Sequence, residues 1–542
     1  MSTNLTLLLL GAMSALPLRA QEAPTFAKDV APIIWNHCTN CHRPGRLGPM
    51  PFTNYEEVKA YGAMIQYTTE RRLMPPWRPD PHYTRLAFER VLTPVQIETI
   101  KKWYEAGMPE GNAAETPPLP DFPEGSVLGE GDTTLVLPAF TITENIDIYQ
   151  NFVIKNPFGS GKYLKAVEIL PGNDEVVHHV VVYIETRGRA TPKDEQTPEP
   201  GYRSEGFGID VDFIVENGRL VTPYTLMVWT PGDNPIVLPH NLAYFIPDGA
   251  EIVVQMHYSP NSVGKTDQTR VRLHYYKENR PPREVRIDPF INWFVNMTPP
   301  VLSIPPYSTP TFYNHQRIDD KLTILGFMPH MHLIGKSMTV FLEKNQAGAR
   351  DTTPLVRIND WNFNWQGFYL ARKPIVVEPG TYIKSISTFD NTPNNPLNPS
   401  NPPIQVNAGE STLDEMIVCY VMYCPYEEGD ENLVIDASEP VDLTSRAEAQ
   451  DGSRPRLLPP FPNPTEGKTT FRFLLNRPAF VVLTVLDAQG REVAFPVPER
   501  QFSPGEHEVV ADLSRLPTGT YWCRIRADGV ESRHSFKIVK NR

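Results

Sequence analysis

Only five cysteines occur in 542 residues, too few and too scattered to define a disulfide framework. Cys419 and Cys424 sit on an apparent strand at an odd spacing, so their side chains face opposite ways and a bridge would need a bend. Beyond residue 20 no apolar run reaches the ~18 residues that a membrane-spanning helix requires. Positive charge is in deficit as well: 51 Lys and Arg against 63 Asp and Glu leave a net charge of -12. That balance argues against nucleic acid or an anionic membrane as a partner. Long helices are disfavoured by 57 prolines, twice the usual share of ~5%. At this length three or four domains are expected, because single cores rarely grow beyond roughly 250 residues.

Organisation follows from shifts in pattern along the chain. Residues 1–20 carry the apolar run Leu7 to Ala12 and end in Leu18-Arg19-Ala20, a layout similar to a secretory signal peptide cleaved near Ala20-Gln21, although no Lys or Arg precedes the run. Residues 24–112 read as helical. Thr93 is placed as an N-cap before Pro94, Ile97, Ile100, Lys101 and Tyr104 follow helical spacing, and Gly107 marks a stop. Residues 113–128, including the Pro-rich stretch Glu115 to Pro123, read as an extended linker. From 129 to 445 short β-branched runs bounded by Pro, Gly and Asn predict two antiparallel sandwiches, 129–290 and 291–445, with a break near 285 to 300. A polar linker at 446–457 precedes a small β domain at 458–542. The expected architecture is multidomain: a small all-α domain, two β-sandwiches, and a small C-terminal β-sandwich.

Cys38, Cys41 and His42 form a CTNCH stretch. Two cysteines at this spacing reach the vinyl groups of a porphyrin, and the histidine that follows ligates its iron, so the stretch predicts a covalent c-type haem. A zinc half-site has little support, since no other CxxC occurs. Residues 25–110 resemble the class I cytochrome c family, in which a Met just before a Pro, ahead of the last helix, is often the sixth ligand. That resemblance points to Met74 in Leu73-Met74-Pro75-Pro76-Trp77, with Met50, Met64 and His82 as rivals. A Met ligand raises the haem potential.

Four further fragments carry metal chemistry: His178-His179, His257 in QMHY, the pair His330 and His332, and Met416 closing DEM. His330 and His332 are two apart, so on a strand both rings leave one face and grip one ion. Met416 adds a soft thioether, which favours Cu(I) over zinc, calcium or magnesium. Adjacent His178 and His179 face opposite ways on a flat strand, so sharing one ion needs a bulge or different ring nitrogens. His257 offers the third imidazole. His240, His274 and His315 lack a supporting motif and are read as structural. The stretches Trp361 to Gln366 and Phe389 to Pro396 are candidates to shape a pocket, against the plainer and preferred readings of core packing and an Asn/Pro turn.

In that order the fragments resemble the copper type II, ascorbate-dependent monooxygenases, over about residues 130 to 440. The resemblance implies two jelly-roll-like copper domains facing each other across solvent. His178, His179 and His257 would hold an electron-transfer copper, and His330, His332 and Met416 an oxygen-activating one, with Tyr420 near the substrate. It further implies two copper ions, an external reductant (ascorbate or a redox donor protein), O2 and a small organic substrate. Met328 and Val418 stand where peptide-amidating members carry the Arg and Asn that read a carboxylate, so a C-terminal glycine peptide is disfavoured. Ile417 replaces the cysteine of animal members, and their disulfide is absent. Residues 458–542, with Pro462-Asn-Pro-Thr-Glu-Gly467 and Leu516-Pro-Thr-Gly-Thr-Tyr521, resemble a type IX secretion sorting domain. This implies a type IX export machinery as partner and a cell-surface or extracellular location. The competing reading is a surface electron-transfer or copper-binding protein without oxygenase activity; the complete ligand set, Met416 included, favours the enzyme.

Overall fold

The computed structural model describes residues 23–540 apart from 45, 47, 49, 121–125, 205–208, 210–213, 217–218, 222, 240, 261, 347–348, 410, 439, 441–442, 444–454, 459, 464, 476–477, 488–490, 504, 529 and 532–535. The signal-peptide segment 1–20, most of the 446–457 linker and His240 lie outside the described residues.

Helices α1 (Ala31–His37), α2 (Tyr55–Ala60), α3 (Gly62–Glu70) and α4 (Pro94–Glu105) make up the first region. The start of α4 is written in its sequence. The Thr93 hydroxyl accepts from the Gln96 amide at 3.0 Å, the Gln96 side chain accepts from the Thr93 amide at 2.8 Å, and Pro94 fills the first turn. Past its end Gly107 takes φ +82°, the left-handed conformation that closes a helix. Phe26, Ile34, Trp35, Val58, Ile100 and Trp103 enclose a core that belongs to this region alone.

Between α3 and α4 the chain leaves that core as a strap. Pro79 bridges to Ile358 and Leu86 to Ala371, and the Phe88 amide donates to Asp436 at 2.9 Å. Leu86 and Ala87, 2% and 3% exposed, are buried in the core of the β region. Burying a side chain of the size of Leu86 contributes about 2 kcal/mol, so the strap is an anchor. The 113–128 segment adds further ties: Trp35 Nε1 donates to the Pro117 carbonyl at 3.0 Å and the Ser126 hydroxyl to Glu168 at 2.6 Å.

The β region is built on one nine-stranded antiparallel sheet. Its order is Tyr369–Val377, Leu322–His330, Val418–Pro425, Arg286–Ile291, Tyr224–Trp229, Val177–Glu185, Glu251–Tyr258, Ile148–Lys155 and Tyr202–Ser204. Two five-stranded sheets share a continuous core with it. One contains Lys162–Leu170, Leu242–Ile246 and Arg270–Tyr275, and the other Thr311–Ile318, Gly335–Gln346 and Thr381–Phe389. Two sandwiches facing each other across solvent, as the resemblance implied, are therefore corrected to two halves sewn along a common sheet. Arg286–Ile291 makes the seam, pairing with Val418–Pro425 on one side and, through Ile287 and Thr225, with Tyr224–Trp229 on the other. The boundary expected between 290 and 291 cuts this strand. Pro289 is tolerated within it because it sits at a register irregularity, where a missing amide proton costs the ladder little.

The C-terminal region folds separately around Phe471, Phe473, Val481, Leu483 and Ile525. Arg456–Leu457 pairs with Phe473 and Leu474, so the last residues of the expected linker belong to this sheet. Cys419, Cys424 and Cys523 are buried, and Cys419 and Cys424 form no bridge with each other.

Candidate metal centres

His179 lies opposite His257 in the antiparallel ladder, and the next rung pairs Tyr258 with Val177, which leaves His178 as the extra residue of a bulge. The bulge turns two adjacent imidazoles toward one point. Nδ1 of His179 is 3.3 Å from Nδ1 of His178 and 3.2 Å from Nδ1 of His257. One ligand atom from each of the three rings lies within 4.8 Å of the others. Nε2 of His257 is 2.7 Å from Asp147 Oδ1; the carboxylate accepts, so Nε2 carries the proton and Nδ1 keeps its lone pair. Tyr149 stacks on the same ring at 4.2 Å and 10°. Burial holds the His178 pKa below the usual imidazole range and, with mutual repulsion, those of His179 and His257 well below it. Neutral nitrogens converging this closely are satisfied by a shared cation, and the all-imidazole donor set fits copper.

His330 ends the strand Leu322–His330 and His332 follows just past it, with the two ring centres 5.1 Å apart at 86°. Each Nδ1 is held by an oxygen: His330 donates to Gln366 Oε1 at 2.5 Å and His332 to the Asp414 carbonyl at 3.1 Å. Both Nε2 atoms are thus left with lone pairs. Burial pushes the His330 pKa down to about 4 and that of His332 down to about 3, so both rings are neutral at pH 7. His330 pairs with Val418, the first residue of its strand, and Met416, fully buried, lies two residues before that strand begins. Glu415 braces the pair of segments, accepting from the His332 amide at 2.8 Å and the Ile334 amide at 2.7 Å. Burial pushes its carboxyl up to about 8, against the pull of those amides. Two imidazoles and a thioether fit a Cu(I)-preferring site.

His178 and His179 of the first cluster and His330 and His332 of the second line one cleft. The Phe363 ring reaches both, 5.5 Å from His178 and 5.8 Å from His332. Tyr420 forms part of the cleft wall, opposite Met328 in the ladder. The expectation that Trp361 to Gln366 is packing is corrected: Phe363, Asn364, Trp365 and Gln366 all line the cleft. The second stretch is structural, with the Asn391 amide donating to the carbonyls of Ile304, Pro305 and Ile404. Asp147, Tyr149 and Gln366 were missed by sequence reasoning. Their roles depend on strand register and on a loop crossing, and only the placing of Tyr149 on the strand beside His257, with Asp147 just before that strand, offered a signal.

Cys38 directly follows α1, and the amides of Cys41 and His42 donate to its carbonyl at 3.1 and 2.9 Å. His42 Nδ1 is 3.0 Å from the Met50 carbonyl, which fixes the proton there and frees Nε2 for a metal. Its ring stacks on Phe52 at 4.5 Å. Gly48 makes room for it, since a Cβ at that position would lie 2.6 Å from His42 Nδ1. Two free, half-buried thiols beside an oriented imidazole fit covalent haem. Met74 is placed elsewhere. It lines a cleft with Thr69, Trp77, His82 and Arg90, and none of Cys38, Cys41 or His42 lines that cleft. Met74 stands where the strap departs toward the β region. Of its rivals, Met50 packs against the helical core, Met64 is exposed on α3, and His82 shares the Met74 cleft.

Comparison with known proteins bears on the β and C-terminal regions. Residues 295–443 match the family model for the C-terminal domain of copper type II ascorbate-dependent monooxygenases. Residues 460–541 match that for the secretion system C-terminal sorting domain, which indicates an exported protein. These matches support the copper monooxygenase family for the region that carries His330, His332 and Met416. The dopamine beta-hydroxylase of Rattus norvegicus is 23% identical over 278 residues, which amount to 48% of this chain and 40% of that protein. The chain thus spans well under half the length of this relative. Among solved structures, a biofilm associated protein (BSP domain) aligns over 78% of this chain and 84% of its own at 10% identity and a TM-score of 0.13. A beta-glucuronidase of Parabacteroides merdae aligns over 43% and 28% at 9% identity and the same TM-score. Similarity at that level carries no argument about fold or activity.

Proposed function

We propose that this chain is an exported copper monooxygenase that places one oxygen atom of O2 into a C–H bond of a small, uncharged organic substrate. The observation that carries this reading is that imidazoles of both clusters line one cleft, with the His257, His330 and His332 rings each oriented by a partner oxygen and the Phe363 ring 5.5 Å from His178 and 5.8 Å from His332. His330, His332 and Met416 would hold the copper that meets O2, and His178, His179 and His257 a copper that stores an electron. Copper in these sites supplies one-electron chemistry with O2; the second oxygen atom leaves as water, with two electrons and two protons. The protein's own part is to orient and to exclude water. Gln366 and the Asp414 carbonyl fix the ligand rings, and Tyr420 and Phe363 wall the reaction space. None of the described residues lining the cleft is Asp, Glu, Lys or Arg. Val181, Val228, Met328 and Trp365 present apolar surface and Gln255 and Asn364 neutral hydrogen-bonding groups, which suits a neutral substrate and not a carboxylate.

A haem on Cys38 and Cys41, ligated by His42, would relay electrons to the coppers from an ascorbate-type or protein donor. Type IX export to the cell surface or medium is the destination that the C-terminal domain suggests. The test is oxygen-18 gas supplied to the reduced, copper-loaded protein with matched panels of uncharged and carboxylate-bearing compounds. Labelled alcohol from the uncharged panel is the expected result. Copper and haem that cycle with no label in any product would leave a surface electron-transfer protein instead.

A further inference from the structure

The helical region meets the β region a second time, directly behind the copper cleft. Gly232 lies against Cys41: a Cβ there would sit 3.3 Å from Cys41 Sγ, and φ is +87°, so both contact and backbone call for glycine. Arg90 clamps this turn, donating to the Gly232 carbonyl at 2.9 Å and reaching Asp233 Oδ1 at 3.4 Å. The Arg46–Asp174 ion pair, 3.1 Å, flanks the same contact. At its other end the turn enters the copper cleft, whose lining includes Thr230 and Pro231. Thr230 Oγ1 is 2.8 Å from the Gln366 carbonyl and 2.6 Å from Asp233 Oδ2, donating to one at a time. Gln366 in turn holds His330 Nδ1.

We propose that Cys41, Gly232, Pro231, Thr230, Gln366 and His330 form the electron path from the haem to the copper cleft, entering at His330. The path rests on reading Cys38-to-His42 as a haem site and His330 as a copper ligand. Cys41 Sγ would be a thioether sulfur bonded to the porphyrin edge. From there the path crosses one through-space step to Gly232, at the rim of a cavity that both residues line, then runs through covalent bonds and two hydrogen-bond steps. One electron leaves ferrous haem iron, which becomes ferric, and reduces cupric copper to cuprous; no proton travels along the route. The Arg90 clamp holds the crossing, its guanidinium tied to the Gly232 carbonyl and paired with the half-buried Asp233 carboxylate. A rival route exists through Trp229, which pairs with Val180 next to His179.

The experiment uses the full-length protein loaded with haem and copper, under anaerobic conditions. The haem is reduced photochemically by one electron, and its visible band and the cupric electron paramagnetic resonance signal are followed together. In the native protein, haem reoxidation independent of protein concentration, matched by loss of the His330-site cupric signal, is expected. Thr230→Val keeps shape but removes the hydroxyl link, and Arg90→Gln loosens the clamp. Both should lose the fast phase while haem spectrum, haem potential and copper content stay unchanged. Unchanged rates in both variants, or first reduction of the His179-site copper, overturn the path alone. Absence of covalent haem from the native protein overturns the haem reading, and the path with it.

Discussion

Asp147 and His257 form a carboxylate–imidazole pair, with 2.7 Å between Oδ1 and Nε2, and the free Nδ1 of the same ring faces His179. The carboxylate selects the tautomer that can bind a metal. Asp147→Ala is therefore expected to lower copper affinity at the three-imidazole cluster by roughly 10–100-fold without removing a ligand. Competition with a chelator of known affinity measures this, and an unchanged affinity removes the orienting role from Asp147.

Copper content is the next expectation. The purified, copper-loaded protein should hold two specifically bound ions per chain, and Met416→Ala should weaken Cu(I) binding at the second cluster most, since it deletes the soft donor. Metal analysis that finds at most one specific copper refutes the paired arrangement.

The two clusters should also fail differently. In a folded His332→Ala protein, O2-dependent product formation should vanish while the copper at His178, His179 and His257 still reduces and reoxidises. Equal loss of redox cycling at both sites would sink the division of labour.

Acid stability should report a buried ion pair across the seam of the β region. Arg283 forks onto Asp430 at 2.9 and 2.8 Å, and the Thr323 hydroxyl donates to the same carboxylate at 2.6 Å. Burial alone would raise the Asp430 pKa, yet Arg283 and these donors hold it below the ordinary 3.8. A depressed folded value means stabilisation that is fully present above the unfolded pKa and lost as pH falls through the folded one. Asp430→Asn should cost about 3 kcal/mol at pH 7. In urea titrations the gap from the native protein should then close as the pH falls below roughly 4.

What could be read from the sequence is what spacing alone determines. Cys38, Cys41 and His42 occupy consecutive turns of one segment. His330 and His332 share a face by strand alternation, and the difficulty posed by His178 and His179 announced the bulge that the ladder contains. The capped start of α4 was equally local. What escaped depends on partners far along the chain. Gln366 reaches His330 from a loop, Asp147 reaches His257 across a sheet, and the halves of the β region join through one rung, Ile287 to Thr225. The Met-Pro step at Met74, read from its place ahead of the last helix, also marks where the strap leaves the helical core, a feature set by distant β-strand partners.

That strap has a consequence for how such a protein can be taken apart. Leu86 and Ala87 are interior residues of a region to which, by sequence position, they do not belong. A cut made at the linker would pull a plug from the β core and open its apolar interior to water, so the helical segment cannot be exchanged for another carrier as a cassette. Inheritance of the two regions is thereby tied together: a substitution at Ala371 or Ile358, on the strands that receive the strap, is felt by the segment bearing Cys41. The chain behaves as one unit of selection in which the helical segment and the β region have to change in step.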